Sequence, residues 1–491
     1  MNLPDVVAIC AASPEQAAAF TAAIDRRREA GIYPRELEFT VVHDPPGGRV
    51  GSGGGTLHAV TQLPSDRSML LIHAGGESRR LPAWAPEGKL FAPVPVASST
   101  IHPPVLLDIQ LGLYLRYPWR AGELVVASGD VYIDFDVTSV RRDRGEICGF
   151  SVPASFDEGS RHGVFVFDDV RRNVVGYLQK ASVEHLRSDA ALPGDESCAL
   201  DIGIVAFDRS GRERLCALSG HFGDRIVTGN VYIDLYVEIL TAALSGIDDE
   251  TYRSLIAKKS RLVPEDHAVI REVMRDASLQ GVLGRKSTFL HYGSVSEVPE
   301  TALRLANSAE IVPFYDVVGD ADLVHEIAPE RVGTTILTDC ESVEIGEVGA
   351  AGVAGEVGEF GEFGGAGPSG EFSSAGASGE FSSAGAPAEP SFIDACRDLT
   401  VIPTGCNLVT GVEGVSVPGA LPHGFCLDGR TSERGDGNSD EDGDGNGDGD
   451  GDGDAAAVAL YRRNDTLQPI DGTPATCGSP PADRPSRPQP P

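Results

Sequence analysis

The sequence predicts an α/β protein: a doubly wound sheet over the first half, followed by a small all-β module. Three observations carry this. From residue 5 to about 245, short apolar runs alternate with helical stretches, which is the signature of βαβ units. Several of those runs are continuously apolar rather than alternating, as expected of central strands covered on both faces. From about 285 to 345 the helical spacing disappears and short β-like pieces take over.

In order, Val6–Cys10 is the first strand. Ser13 then reads as an N-cap and Pro14 as the first helical residue of PEQAAAFTAAIDRRREA, because a serine hydroxyl serves an orphan amide and proline lacks one. Glu38–Val42, Met69–His73, Glu123–Ser128, Gly163–Phe167 and Ile202–Phe207 read as further strands, and helices are expected over about 226–245 and 264–277. Ser287–His291, Glu310–Pro313, Thr334–Asp339 and Ser342–Ile345 form the all-β part, resumed by Leu399–Leu427. Stacked short strands of this kind suit a parallel β-helix or solenoid.

The expected units are 1–284, then 285–345 together with 396–430. Residues 346–395 are a low-complexity insertion, in which Ser369–Ala377 is repeated identically at Ser378–Ala386. Residues 431–491 are an acidic Asp/Gly tract and a Pro-rich tail, expected to be disordered. The Asp/Gly tract has alternating oxygen ligands but no Glu at the twelfth loop position and no flanking helices, so calcium binding is not expected.

The formal charge of the 491-residue chain is −33. Positions 341–390 and 435–454 each carry nine acids and no base, together more than half of that excess. Such a balance argues against nucleic acid or an anionic membrane as partner, since phosphate neutralisation needs a basic face. No run approaches membrane-helix length. The nine cysteines are scattered without a Cys-x-x-Cys pair, and with no signal-peptide pattern they read as reduced thiols in the cytoplasm.

Two Gly-rich loops dominate the chemistry. The first, DPPGGRVGSGGGT over 44–56, leads toward a helix; consecutive glycines there leave N–H groups free to face a phosphate or a base edge. It is neither G-x-G-x-x-G nor a Walker A loop, so nicotinamide cofactors and P-loop chemistry are disfavoured. The second, AGGESRRLP, follows the strand MLLIH directly, and Lys89 comes nine residues after Arg80. A Gly-Gly turn at a strand's carboxyl end lets backbone approach a nucleotide, while an arginine and a lysine meet a triphosphate and favour charge on a departing pyrophosphate. Asp130, past the Glu123–Ser128 strand, stands where a magnesium ligand is expected, with Asp134 and Asp136 nearby. His162–Gly163, Lys180 and Asp201 each adjoin a predicted strand.

AGGESRRLP…GK resembles the sugar-1-phosphate nucleotidyltransferase signature. DPPGGRVGSGGGT, HAGGESRRLPAWAPEGKLFAPVPV, HGVFVFD, YLQKAS and LPHGFCLDG look like the fucose-1-phosphate guanylyltransferase region of the fucokinase/GDP-fucose pyrophosphorylase family. The resemblance implies a Rossmann-like, GT-A type core and a following β-helical domain. It also implies that GTP and L-fucose 1-phosphate yield GDP-L-fucose and pyrophosphate with Mg2+. In this sequence Arg80 and Lys89 would then activate the triphosphate, and Asp130, with Asp234 as second candidate, would hold the metal. Gly51, Gly53, Gly54, Gly55, Thr56, Gly75 and Gly76 would contact the nucleotide, and His162, Gly163, Lys180 and Asp201 the sugar phosphate. No second phosphate loop is read after residue 285, so fucokinase activity is not expected. Another sugar 1-phosphate with another NTP, or a catalytically silent nucleotide-sugar-binding module, are the alternatives.

Overall fold

The computed structural model describes residues 3–306 apart from 47, 75–83, 85–87, 95, 97–103, 115, 136–144, 169–172, 285–286 and 293–296. Beyond 306 it describes nine strand segments between 330 and 462. Strands β1 (Val6–Ala11), β2 (Glu38–His43), β3 (Met69–His73) and β4 (Leu124–Ser128) lie parallel in the order β2-β1-β3-β4. The sheet continues through β9 (Ser197–Phe207), β6 (Ile147–Ser155) and β10 (Leu279–Leu283), with β9 antiparallel to both neighbours. From β9 hangs a hairpin of β7 (Gly163–Phe167) and β8 (Val174–Gln179). A separate pair joins β5 (Val131–Phe135) to β11 (Ser287–His291), antiparallel.

Period-two alternation splits the sheet residues between two cores. Val7, Ile9, Leu70 and Ile72 pack with Phe20 and Ile24 of α1 (Pro14–Glu29) and with Leu107 and Leu111 of α3 (Leu106–Tyr114). On the opposite face Ala8, Met69, Leu71 and Val126 meet Leu57 of α2 (Gly51–Val60) and Leu215 and Phe222 of α6 (Arg209–Val227). That core also takes in Ile256 of α7 (Asp249–Ile256) and Ile270 of α8 (Pro264–Met274). Two short helices, α4 (Phe156–Gly159) and α5 (Val183–Asp189), flank β9, and α9 (Val298–Ala306) follows β11. Each fully buried Leu or Phe contributes about 1.5–3 kcal/mol relative to exposure.

The Ser13 cap is present: its hydroxyl accepts from the Gln16 amide, with Pro14 opening α1. Three expectations differ from the structure. The helix expected at 226–245 is α6, ending at Val227, followed by an extended stretch and a π-helical turn, Leu235–Leu240. Gly229, at φ +69°, turns the chain between them, a conformation that costs glycine little. Helical structure does occur within 285–345, as α9. Ser287–His291 is a strand, but it pairs with β5 rather than with the later strands. Glu310–Pro313 lies outside the described residues.

The later strands alternate along the chain between two ladders. Thr335–Thr338, Ser391–Asp394, Leu408–Thr410 and Phe425–Asp428 are parallel in one, and Glu341–Ile345, Arg397–Pro403 and Ser416–Leu421 in the other. Glu330–Val332 and Ala459–Arg462 close the first ladder in antiparallel sense.

Candidate active site

The chain runs from β1 to β2 on one side and then to β3 on the other, so the sheet reverses direction between β1 and β3. Ligands of open α/β sheets bind outside the carboxyl ends of strands at such a point. A cavity of about 920 Å³ opens there, lined by His73 at the end of β3 and Ser128 at the end of β4. It extends to Arg161, His162 and Gly163, Tyr177–Ala181, Asp201, Gly203, Asp234–Val237 and His291.

One wall is charged. The Gly129 amide donates to the His73 carbonyl at 2.8 Å, and a Cβ at 129 would lie 2.8 Å from that same oxygen. Only glycine lets the chain turn this tightly and deliver Asp130. The Asp130 carboxylate accepts from Ser128 Oγ at 2.9 Å, and its Oδ2 lies 3.3 Å from Lys89 Nζ and 3.5 Å from His291 Nε2. Lys89 is 2 % exposed. It opens a 3₁₀ turn after Gly88, whose φ of +75° and seat against the Phe20 ring exclude a side chain. Burial alone would raise the Asp130 pKa, but the His291 hydrogen bond and the Lys89 charge hold it well below the usual carboxylate range. Burial likewise opposes charge on His291, yet hydrogen bonds to Asp130 and to Glu297, the latter at 3.0 Å, raise it to about 9.

A second wall is neutral. The Asp201 carboxyl accepts from the Gly203 amide at 2.9 Å and from Tyr177 OH at 3.0 Å, and the Tyr236 hydroxyl also bonds it. The two tyrosine rings stack with centroids 5.1 Å apart. Burial pushes the Asp201 carboxyl up to about 6, only partly offset by these donors. Tyr177 lies across Gly163 so closely that a Cβ there would meet its hydroxyl at 2.0 Å.

Lys180 sits at the cavity with φ +50°, the one non-glycine residue at positive φ among the described residues. A single lysine in this region costs roughly 1–2 kcal/mol, and its amide donates to the His162 carbonyl at 2.9 Å. His162 is half-buried, edge-on to Phe289 and near His291; burial and that imidazole lower its pKa.

The cavity therefore brings together Asp130, His162, Gly163, Lys180, Asp201 and Asp234, with Lys89 reaching it through Asp130. Arg80, Gly75 and Gly76 lie outside the described residues, directly after β3, as does Asp136.

One expectation changes. Gly51 to Thr56 are not a loop ahead of a helix but the first turns of α2 itself. The Gly53 and Gly54 amides donate to the Ile233 carbonyl at 2.8 and 3.1 Å, so they are not free for a ligand. A Cβ at Gly51 or Gly53 would press into Ile233 at 2.4 and 2.8 Å, so these glycines let the helix start abut the extended chain before Asp234. Thr56 bonds His73 at 2.9 Å, Gly55 packs on the same ring, and Ser52 is the member of this run that lines the large cavity. Asp234 in turn is a helix cap: one carboxylate oxygen accepts from the Tyr236 and Val237 amides at 2.9 Å and the other from Ser52 Oγ at 3.4 Å. Asp234 also lines the cavity, and its second oxygen has only that one long contact among the described residues.

Sequence reasoning missed Tyr177, Tyr236, His291 and Glu297. Tyr177 stands inside the YLQKAS motif and was within reach. His291 was not, since its place depends on β11 pairing with β5 across some 150 residues of chain.

A family model described as the fucose pyrophosphorylase domain matches residues 63–308. The chain is 28% identical over 335 residues to a fucose-1-phosphate guanylyltransferase of Homo sapiens, covering 60% of this chain and 54% of that protein. It is 28% identical over 344 residues to a bifunctional fucokinase/GDP-fucose pyrophosphorylase of Arabidopsis thaliana, covering 60% and 31%. Over 181 residues it is 32% identical to an L-fucokinase/L-fucose-1-P guanylyltransferase of Bacteroides fragilis, covering 33% and 19%. The matched region thus spans about half or less of the length of these curated relatives. Among solved structures, HddC from Yersinia pseudotuberculosis complexed with GMP-PN aligns at a TM-score of 0.28 and 9% identity, over 61% of this chain and 96% of that one. With the family model spanning half of the chain, from before β3 to just past α9, this protein belongs to the fucose pyrophosphorylase domain family.

Proposed function

We propose that this protein joins GTP and L-fucose 1-phosphate to give GDP-L-fucose and pyrophosphate. The observation that carries the reading is the charged wall at the β3 and β4 ends: Lys89, nine residues after Arg80 in sequence, and His291 on Asp130, in a cavity that also presents Arg161 and Lys180. Such a wall suits two phosphorylated substrates that must be brought together against their own repulsion. An oxygen of the sugar phosphate attacks the α-phosphorus and pyrophosphate leaves, so the protein positions and neutralises rather than forming a covalent intermediate. In this reading Lys89 and Arg80 would take the triphosphate, Ser52 at the start of α2 together with Gly75–Gly76 would serve the nucleotide, and His162, Lys180 and the Asp201 wall would take the sugar phosphate.

Magnesium belongs to this proposal. Asp130 fits it: a carboxylate held ionised at a strand end, facing the cavity, where this ion needs one or two carboxylates beside substrate phosphates. Asp234 is the second candidate, with one oxygen capping the helix and the other facing Ser52 at 3.4 Å. The bound ion would offset charge on the phosphates.

The first unit extends to α9 in this reading, since β11 completes the wall, and the later ladders wind as a short β-helix. We place the protein in the cytoplasm. No helix among the described residues is long and apolar enough to cross a membrane.

The test is pyrophosphate release from each of the four NTPs crossed with a panel of sugar 1-phosphates, alongside Arg80→Ala. Release confined to GTP with fucose 1-phosphate and lost in the variant is expected. Release with another pair retires fucose but keeps the mechanism. Silence across the panel with nucleotide still bound points to a binding module.

A further inference from the structure

The charged wall draws on a strand that lies beyond the expected first unit. β11 runs antiparallel to β5 with His291 opposite Val131, the residue that follows Asp130. Two ties result. The Tyr292 amide donates to the Asp130 carbonyl at 2.8 Å, fixing the backbone, and His291 Nε2 approaches Asp130 Oδ2 at 3.5 Å, addressing the side chain. On its other nitrogen the ring is held by Glu297 at 3.0 Å. A ring gripped at one nitrogen by a carboxylate has its other nitrogen aimed, which is how histidines with outer carboxylate partners orient the groups they touch. The imidazole is three-quarters buried and lines the cavity.

Lys89 alone cannot orient Asp130. Lysine is a point charge on a flexible stem, satisfied by any oxygen within reach. Ser128 holds one oxygen from the same strand end. Among the described residues, His291 is the partner of Asp130 shown to be braced by a further carboxylate, so it decides how the Asp130 carboxylate is turned toward the cavity.

Resting on the reaction proposed above, we propose that His291, braced by Glu297, is a positioning residue that holds the Asp130 carboxylate in its working orientation, and that the β11 strand is therefore part of the active site. Its removal should lower turnover without loosening the nucleotide, because the triphosphate contacts belong to other groups.

The experiment compares wild type with His291→Ala, His291→Gln and Glu297→Gln in the full chain. Three quantities are followed: melting temperature, affinity for a non-hydrolysable GTP analogue, and steady-state pyrophosphate release. His291→Ala keeps the Tyr292 backbone tie, so it should fold and bind the analogue within about threefold of wild type, while kcat falls about 10–100-fold. His291→Gln, which retains a donor toward Asp130, and free imidazole added to His291→Ala should each restore part of the rate, whereas Glu297→Gln should cost less than about threefold because its amide oxygen still accepts from the ring. Unchanged kcat in His291→Ala overturns the inference. So does a loss that follows melting temperature and responds neither to imidazole nor to Gln, because His291 would then only tie β11 to the fold. A wild type that releases no pyrophosphate from any pair overturns the proposed reaction and this inference with it. An active wild type with an unimpaired variant overturns the inference alone.

Discussion

Asp130 and Asp201 line the same cavity and are pushed in opposite directions. Asp130 is surrounded by groups that carry or share positive charge, Lys89 and His291, and stays ionised far below the usual range. Among the described residues Asp201 meets only neutral donors, the Gly203 amide and two phenol hydroxyls, and rises to about 6. Burial disfavours both carboxylates, so burial does not separate them. A neutral donor lowers a buried carboxylate's pKa less than a cation within a few ångströms does. The cavity is thereby divided into an end that receives charge and an end that shapes and orders.

The largest effect should come from breaking the charged end. Lys89→Ala leaves Asp130 with His291 and Ser128 and removes a cation from the triphosphate path. Pyrophosphate release should fall about 10²–10³-fold, the usual cost of losing one preorganised electrostatic group. The comparison with Tyr177→Phe is the informative one. That change removes a single neutral donor from Asp201 and should cost stability about 1 kcal/mol, with turnover far less affected. Comparable losses of rate in the two variants would dissolve the division drawn here.

Next in size is the seat of Tyr177. A valine at position 163 cannot coexist with the tyrosine hydroxyl where a Cβ would already lie at 2.0 Å. Gly163→Val should displace the ring, release Asp201 from one donor and destabilise the protein by about 1–3 kcal/mol through overpacking. If the neutral wall orders the sugar phosphate, KM for that substrate should rise more than KM for GTP. An equal rise in both would show that the wall serves the whole cavity.

These contrasts bear on what the sequence made legible. The parallel half of the sheet was readable because β1, β3 and β4 are continuous apolar runs, and Asp130 because it follows a strand end through a single glycine. The glycines at 51–55 misled, since a glycine that permits contact with a ligand and one that permits contact with Ile233 look the same in sequence. Asp234 shows a similar limit: that it caps a helix as well as lining the cavity is visible only in the positions of the Tyr236 and Val237 amides. His291 lay beyond reach because nothing local announces a pairing between β11 and β5. Local chemistry was legible, and long-range satisfaction of that chemistry was not.

The remaining predicted effect is a pH dependence of stability, which leaves catalysis aside, and it sharpens the comparison most. The Asp201 carboxyl titrates near 6 in the folded protein against a reference of 3.8. The native state therefore binds this proton more tightly than the unfolded chain does. Its stabilising contribution is fully present below about pH 4 and is lost as pH rises through about 6. Asp130 has the opposite sign: its folded value is depressed, so its contribution is present above the unfolded pKa and fades only in strong acid. Asp201→Asn keeps one acceptor oxygen, enough for the Gly203 amide, places an NH2 toward the Tyr177 hydroxyl, and has no charge to bury. Relative to wild type it should gain stability between about pH 4 and 6 and hold that gain at about pH 8. The gain is at most about 3 kcal/mol, since each tenfold change in proton affinity is worth about 1.4 kcal/mol. Thermal melts of the two proteins from about pH 4 to 8 read this directly. If their difference stays flat over that range, Asp201 is as ionised as Asp130, and the two ends of the cavity are not the electrostatic opposites described here.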